Sequence, residues 1–99
     1  MAIEGLEITH HDNGNSGEYR ATVPDSDKVG KLTWKQRGEG VRVADHTLVP
    51  PAIGNRGIAG ALVDALIEDA REEGFKVVPQ CSYVEAKFRE NPEWSDLRA

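Results

Sequence analysis

Three glycines at positions 54, 57 and 60 stand in front of an amphipathic run, with two prolines before them, in the stretch PPAIGNRGIAGALVDAL, Pro50 to Leu66. The chemistry this arrangement offers is anion binding. Pro50 and Pro51 donate no backbone hydrogen bond, so they end a strand and stiffen its exit. Gly54 and Gly57 allow a tight loop whose amides turn inward, and the helix that follows begins with unpaired N–H groups and a partial positive dipole. A phosphate fits there, with Arg56 adding a charge at the rim. The same glycines would equally let a helix and a strand pack closely with no ligand. A P-loop is excluded because no Lys follows the glycines. A dinucleotide fold needs its glycines after the first strand and an acidic residue at the end of the next, and VVPQC has none.

Two further side chains carry reactive groups. A histidine side chain is able to exchange a proton near neutral pH, so His46 either takes a proton, directly or through a water, or hydrogen-bonds the backbone. Cys81 is the only cysteine and forms no intrachain disulfide. It is either a nucleophile, which requires the thiolate, or a small core hydrophobe. On a regular strand Asp45 and His46 point to opposite faces and make no ready pair, and the same alternation keeps His10 and His11 off one metal ion. No other spacing suits metal ligands, so no metal site is expected. Lys87 and Arg89 read as a solvated helix face, and Trp34, Phe88 and Trp94 as core.

These residues need elements to hold them. The first half reads as short strands separated by turns. Leu6, Ile8 and His10 share one face of the first strand; Tyr19, Ala21 and Val23 share one face of the second; Leu32 and Trp34 align on the third. The turns are NGNSG (Asn13 to Gly17), PDSDK and RGEG. In the fourth strand, VRVADHTLV, Val41 and Val43 point one way and Leu48 belongs to the opposite set. One extra residue near Asp45 and His46, a β-bulge, restores the parity. From Gly57 to about Glu73 the period becomes helical, with Ala59, Leu62, Val63, Leu66 and Ala70 on one face and Gly60, Asp64, Glu68 and Arg71 on the other. Gly74 stands just past the helix end. FKVV is a fifth strand, and SYVEAKFREN a second helix with Ser82 as its cap and Pro92 as its stop. The order of four strands, helix, strand, helix predicts an α+β fold, antiparallel in front, with a right-handed parallel crossover from strand four to strand five.

Length and composition bound the rest. With 99 residues, 38% hydrophobic and 29% charged, the chain is expected to form one domain over 1–99 with a single core. A formal charge of -5 with basic residues scattered among acidic ones argues against nucleic acid as a partner. No apolar run approaches the roughly 20 residues that span a bilayer, and the N-terminus has neither a basic nor an apolar export region. No membrane association and a cytoplasmic location are the expectations.

The loop GNRGIA resembles the acyl-CoA pyrophosphate motif of the GNAT N-acetyltransferase superfamily, Gln/Arg-x-x-Gly-x-Gly/Ala, with Gly57 and Ala59 in the matching places. HTLVP (His46 to Pro50), RGIAGALVDAL, VVPQCSYV (Val77 to Val84) and NPEW together resemble the compact GNAT-like proteins of about a hundred residues. The resemblance runs roughly from Leu32 to Trp94. Gly54 stands where the motif usually has Gln or Arg, which removes one side-chain contact. The resemblance implies a compact GNAT-like fold with strands four and five splayed apart, one central helix and one C-terminal helix. It implies acetyl-CoA as cofactor, with its pantetheine arm along Leu48 and Val49 and its pyrophosphate at Gly54, Asn55, Arg56, Gly57, Ile58, Ala59 and Gly60. It further implies Tyr83 as the acid for the leaving thiolate and Cys81 near the acetyl sulfur, and His46 is then the candidate base. Transfer would be to an amine on a small molecule or protein in an open acceptor groove, because the helices that larger members insert after their first strand have no room here. The alternative is a non-catalytic acyl-CoA-binding or interaction module.

Overall fold

The structure is a computed structural model and describes residues 3–99. Five strands form one sheet in the order β1 (Glu7–Asp12), β2 (Ser16–Val23), β3 (Ser26–Gln36), β4 (Val41–Leu48), β5 (Lys76–Pro79). The first three pairings are antiparallel and β4 pairs with β5 in parallel. Helix α1 (Ile58–Glu73) makes the crossover, and α2 (Ser82–Glu90) follows β5.

Period-two alternation builds the front of the sheet, as expected. Tyr19, Ala21, Val23, Leu32 and Trp34 are buried on the face that receives α1. Ile8 and His10 lie opposite Ala21 and Tyr19 on that face. Two turns are tighter than expected. Ser16 and Gly17 already belong to β2, and Pro24 and Asp25 alone connect β2 to β3. Gly17 is therefore a strand residue, and sterics explain it: a Cβ there would lie 2.5 Å from the Trp34 ring and 2.6 Å from the carbonyl oxygen of His11.

The bulge in β4 is present. Thr33 pairs with His46 and Trp34 with Ala44, so Asp45 is the extra residue. It brings Val43 and Leu48 to one side, opposite Lys35 and Lys31, but that side faces away from the helices. The core side of β4 is Arg42 and Ala44. Alternation misses this because Arg42 is polar: its guanidinium lies 4.0 Å from the Trp34 ring centroid and 4.2 Å from that of Phe75, an apolar setting that the planar cation tolerates by stacking.

Helix α1 buries Ile58, Leu62, Val63, Leu66, Ile67 and Ala70. The expected stripe holds at its centre, while Ala59 is only partly covered and Ile58 and Ile67 widen it. Gly74 ends the helix at φ 80°, its N–H donating to the Ala70 carbonyl at 2.9 Å. At α2 the cap position belongs to Cys81, and Ser82 is the first helical residue. Pro92 stops α2 and opens a 3-10 helix, Pro92–Leu97, which buries Leu97. Both helices pack on the same face, with Val84 and Phe88 of α2 joining the core cluster. The opposite face of the sheet, bearing Thr33, Lys35, Asp45 and His46, receives no helix among the described residues.

Candidate active site

The parallel ladder between β4 and β5 is short. It runs from Val41 opposite Lys76 to Ala44 opposite Pro79, and a last bond joins the Cys81 amide to the Ala44 carbonyl at 2.9 Å. Pro79 has no N–H to extend it, and the chain then turns into α2. From Asp45 to Leu48 the edge of β4 has no strand beside it among the described residues, which leaves backbone groups open to an extended ligand.

Cys81 lies at the mouth of this gap. Its sulfur is 3.5 Å from the hydroxyl of Thr47 on β4. Partial burial pushes the thiol up, but the hydrogen bond shared with the Thr47 hydroxyl and those from the amides of Val84, Tyr83 and Thr47 outweigh it and hold Cys81 below the usual thiol value. The Tyr83 and Val84 amides are those of the first turn of α2, where the helix dipole favours an anion. Tyr83, on the same turn, aims its hydroxyl at α1: a Cβ built on Gly60 would lie 3.6 Å from it. Gly60 thus keeps the space between the Tyr83 hydroxyl and the first turn of α1 free.

The glycine loop completes this side. Gly57 is the N-terminal cap of α1 at φ 82°, and Asn55 is also left-handed at φ 60°, a conformation that Asn adopts more easily than most residues. Among the described residues no side chain caps the helix, so the amides of Ile58, Ala59 and Gly60 have no capping partner there. A Cβ on Gly57 would meet nothing within 4 Å. An open cleft of about 460 Å³ lies over this turn, lined by Leu6, Arg56, Gly57, Gly60, Asp64 and Lys87. Gly54 is different: its backbone is extended and its N–H is already bonded to the Pro51 carbonyl at 3.1 Å.

Arg56 is engaged rather than free. Its two terminal nitrogens donate to both oxygens of Asp25 at 2.9 and 2.8 Å, tying the loop to the β2–β3 turn. His46 stands apart from Cys81 and Tyr83: it is exposed on the face without helices, opposite Thr33, while its neighbour Thr47 points to Cys81. Leu48 is 65% exposed, and Val49 packs partly against the core.

Sequence reasoning brought forward neither Thr47 nor Asp25. Alternation carried the signal for Thr47, since beyond the bulge the residue that follows His46 faces the other way. Nothing local signals Asp25, whose partner is 31 positions away.

A model of the GCN5-related N-acetyl-transferase family matches residues 18–97. Among solved structures, a GCN5-like protein of Staphylococcus aureus superposes with TM-score 0.68 at 22% identity, covering 98% of this chain and 91% of that one. A GNAT family acetyltransferase from Elizabethkingia anophelis, solved with acetyl-CoA bound, superposes with TM-score 0.65 at 14% identity, covering 89% of this chain and 74% of that one. At such identities the two structures speak for the fold alone, and the sheet order, the single parallel pair and the α1 crossover agree with them. The family match spans the bulged β4, the glycine loop, α1, β5 and α2, and the chain belongs to the GCN5-related N-acetyltransferase family.

Proposed function

We propose that the chain is a single-domain N-acetyltransferase that binds acetyl-CoA across the gap between β4 and β5 and passes the acetyl group to an amine arriving from the helix-free face. The observation that carries this reading is the end of the ladder at Ala44 and Pro79, beside Cys81, with the Tyr83 hydroxyl close to Gly60 in the first turn of α1.

The residues present fit the cofactor. Leu48 and Val49 offer backbone groups to an extended pantetheine arm, whereas Pro50 offers only a carbonyl. The uncapped amides of Ile58, Ala59 and Gly60, with the loop of Asn55, Arg56 and Gly57, suit a diphosphate, and Gly57 leaves the approach clear. Gly54 shapes the loop entrance, its own amide being occupied. Acetyl-CoA supplies the activated thioester. Tyr83 gives a proton to the departing thiolate, and His46 accepts the proton that the amine must lose, from the opposite side of the sheet. Cys81, held toward its thiolate, is the side chain in the gap able to accept an acetyl group itself. Mass spectrometry of acetylated Cys81 after mixing with acetyl-CoA separates a relay from direct transfer.

Calorimetric titration with acetyl-CoA and CoA tests the cofactor site. Micromolar binding to the wild type, lost in Gly57→Glu, is the expected result. A folded wild type that binds neither would overturn the reading. Binding without acetyl transfer to any amine would leave an acyl-CoA-binding module.

A further inference from the structure

Lys87 lies one helical turn beyond Tyr83 on α2, so the two side chains share a face of the helix. Its Nζ is 5.6 Å from the centre of the Tyr83 ring. Both look toward the first turn of α1: the Tyr83 hydroxyl approaches the place of a Cβ on Gly60, and Lys87 borders the open cleft with Gly57 and Gly60. Sequence alone groups Lys87 with Arg89 on a solvated face, yet the Lys87 side chain is 29% exposed and that of Arg89 75%. Lys87 lies against the protein while Arg89 projects into solvent.

Two oxygens compete for this ammonium. Glu90 Oε1 is 3.4 Å away, a long contact on a side chain 62% exposed, where water weakens the attraction. The Tyr83 oxygen is the other. Attraction to Tyr83 is the largest influence on Lys87 and, with Glu90, holds its amine above the ordinary lysine value in spite of partial burial. Asp64 of α1 and Arg56 of the glycine loop are the charged groups across the cleft, and Arg56 is already tied to Asp25. The attraction works in both directions: a cation that gains from a nearby phenolate stabilises that phenolate by the same amount.

We infer that Lys87 is a positioning residue for proton donation: its ammonium orients the Tyr83 hydroxyl and stabilises the phenolate left when the Tyr83 proton passes to the departing thiolate. The inference rests on the acetyl-transfer reading and deepens it. In that step the O–H bond of Tyr83 breaks and the S–H bond of the free thiol forms. Lys87 stays protonated, one N–H donating to the phenolate oxygen, and the phenolate then recovers a proton from water in the open cleft. Lys87 acts through Tyr83 and touches no reacting atom.

The test uses the full chain and two readouts. Carbon-13 NMR of the Lys87 Cε reads the pair with no transfer taking place: Tyr83→Phe should lower the pH at which Lys87 loses its proton. An unmoved midpoint would overturn the inference. Transfer from acetyl-CoA to an alkylamine, a polyamine and a lysine peptide then gives a double-mutant cycle. Lys87→Met should lower kcat about tenfold, the scale of one hydrogen bond to a charged group, with the Kd for acetyl-CoA unchanged. Lys87→Arg should restore most of the rate, and in a Tyr83→Phe background Lys87→Met should cost less than about twofold. Equal losses with and without the Tyr83 hydroxyl would overturn the inference. So would a weaker Kd for acetyl-CoA with kcat intact, which would make Lys87 a phosphate contact. No transfer to any of the three amines by the wild type, with the NMR coupling present, would instead remove the acetyl-transfer reading and leave the Lys87–Tyr83 coupling standing.

Discussion

The sulfur of Cys81 and the hydroxyl of Thr47 stand 3.5 Å apart where β4 and β5 separate. The thiol donates to the hydroxyl oxygen; once the proton leaves, the hydroxyl turns and donates to the thiolate. Thr47 is therefore a switchable partner that favours the charged form, aided by the amides of Val84 and Tyr83. Alkylation by iodoacetamide reads this directly, because only the thiolate reacts. The wild-type rate should reach half its maximum at a lower pH than a free cysteine, and Thr47→Val should move that midpoint upward. An unmoved midpoint would mean that the helix amides alone set the thiol.

Asp25 holds Arg56 by both oxygens, and each partner shifts the other toward its charged form. The pair is exposed, so its contribution to folding is small, but it occupies a guanidinium at the rim of the glycine loop. Asp25→Asn should free Arg56 for the cofactor's phosphates and tighten acetyl-CoA on the order of threefold at low ionic strength, a gain that high salt removes by screening. Weaker binding in Asp25→Asn would show instead that the pair's service is to brace the loop.

Much of the fold was legible because regular periods dominate it. Strand parity located Tyr19, Ala21, Leu32 and Trp34, the helical period located Leu62, Val63 and Leu66, and the parity fault near Asp45 located the bulge. What was hidden depended on contacts between distant residues. Arg42 reads as a surface residue until Trp34 and Phe75 enclose it. Gly17 reads as a turn residue until Trp34 packs over it. The alternation that separated Asp45 from His46 is the rule that a bulge suspends. The cap of α2 went to Cys81 because β5 pairs only as far as Pro79 and the chain turns at once.

Gly17 offers a sharp check on packing. The Trp34 ring and the His11 carbonyl oxygen both crowd the place of a Cβ, and neither is the free end of a flexible chain. Gly17→Ala should destabilise the protein by about 1–3 kcal/mol, the range for overpacking a filled site, in denaturant unfolding. Gly38→Ala has open space around it and carries only the strain of its left-handed backbone, about 1 kcal/mol. A smaller loss at position 17 than at 38 would contradict the packing.

Tyr19 links the sheet to α1 through a hydrogen bond from its hydroxyl to Asp69 at 2.7 Å, with its ring stacked 4.2 Å from that of His10. Burial first, and then the hydrogen bond to a carboxylate, push the phenol far above its ordinary value. The native phenol therefore keeps its proton where the unfolded chain loses it. Above pH about 10 the unfolded state binds fewer protons than the native one, so stability falls as pH rises. In a Tyr83→Phe background, tyrosinate absorbance should appear only together with loss of the near-ultraviolet circular dichroism. Ionisation in a still-folded protein would refute the burial.

In the proposed transfer Tyr83 gives a proton to the departing thiolate, and its surroundings allow that role to be isolated. Its hydroxyl looks across a gap that Gly60 leaves free, and the ring has Lys87 Nζ 5.6 Å from its centroid. Removing only the hydroxyl in Tyr83→Phe keeps the ring and its packing. The expected result is a loss of 10²–10⁴ in kcat, on the order found for general acids, with the Kd for acetyl-CoA unchanged. Gly60→Ala tests the geometry from the other side: it fits at ordinary van der Waals distance from the hydroxyl, so the helix should gain slightly in stability while the path between the hydroxyl and the cleft narrows. Full activity in Tyr83→Phe would remove the tyrosine from the reaction and pass the proton to water or to Cys81, which a loss of activity in Cys81→Ala would then reveal.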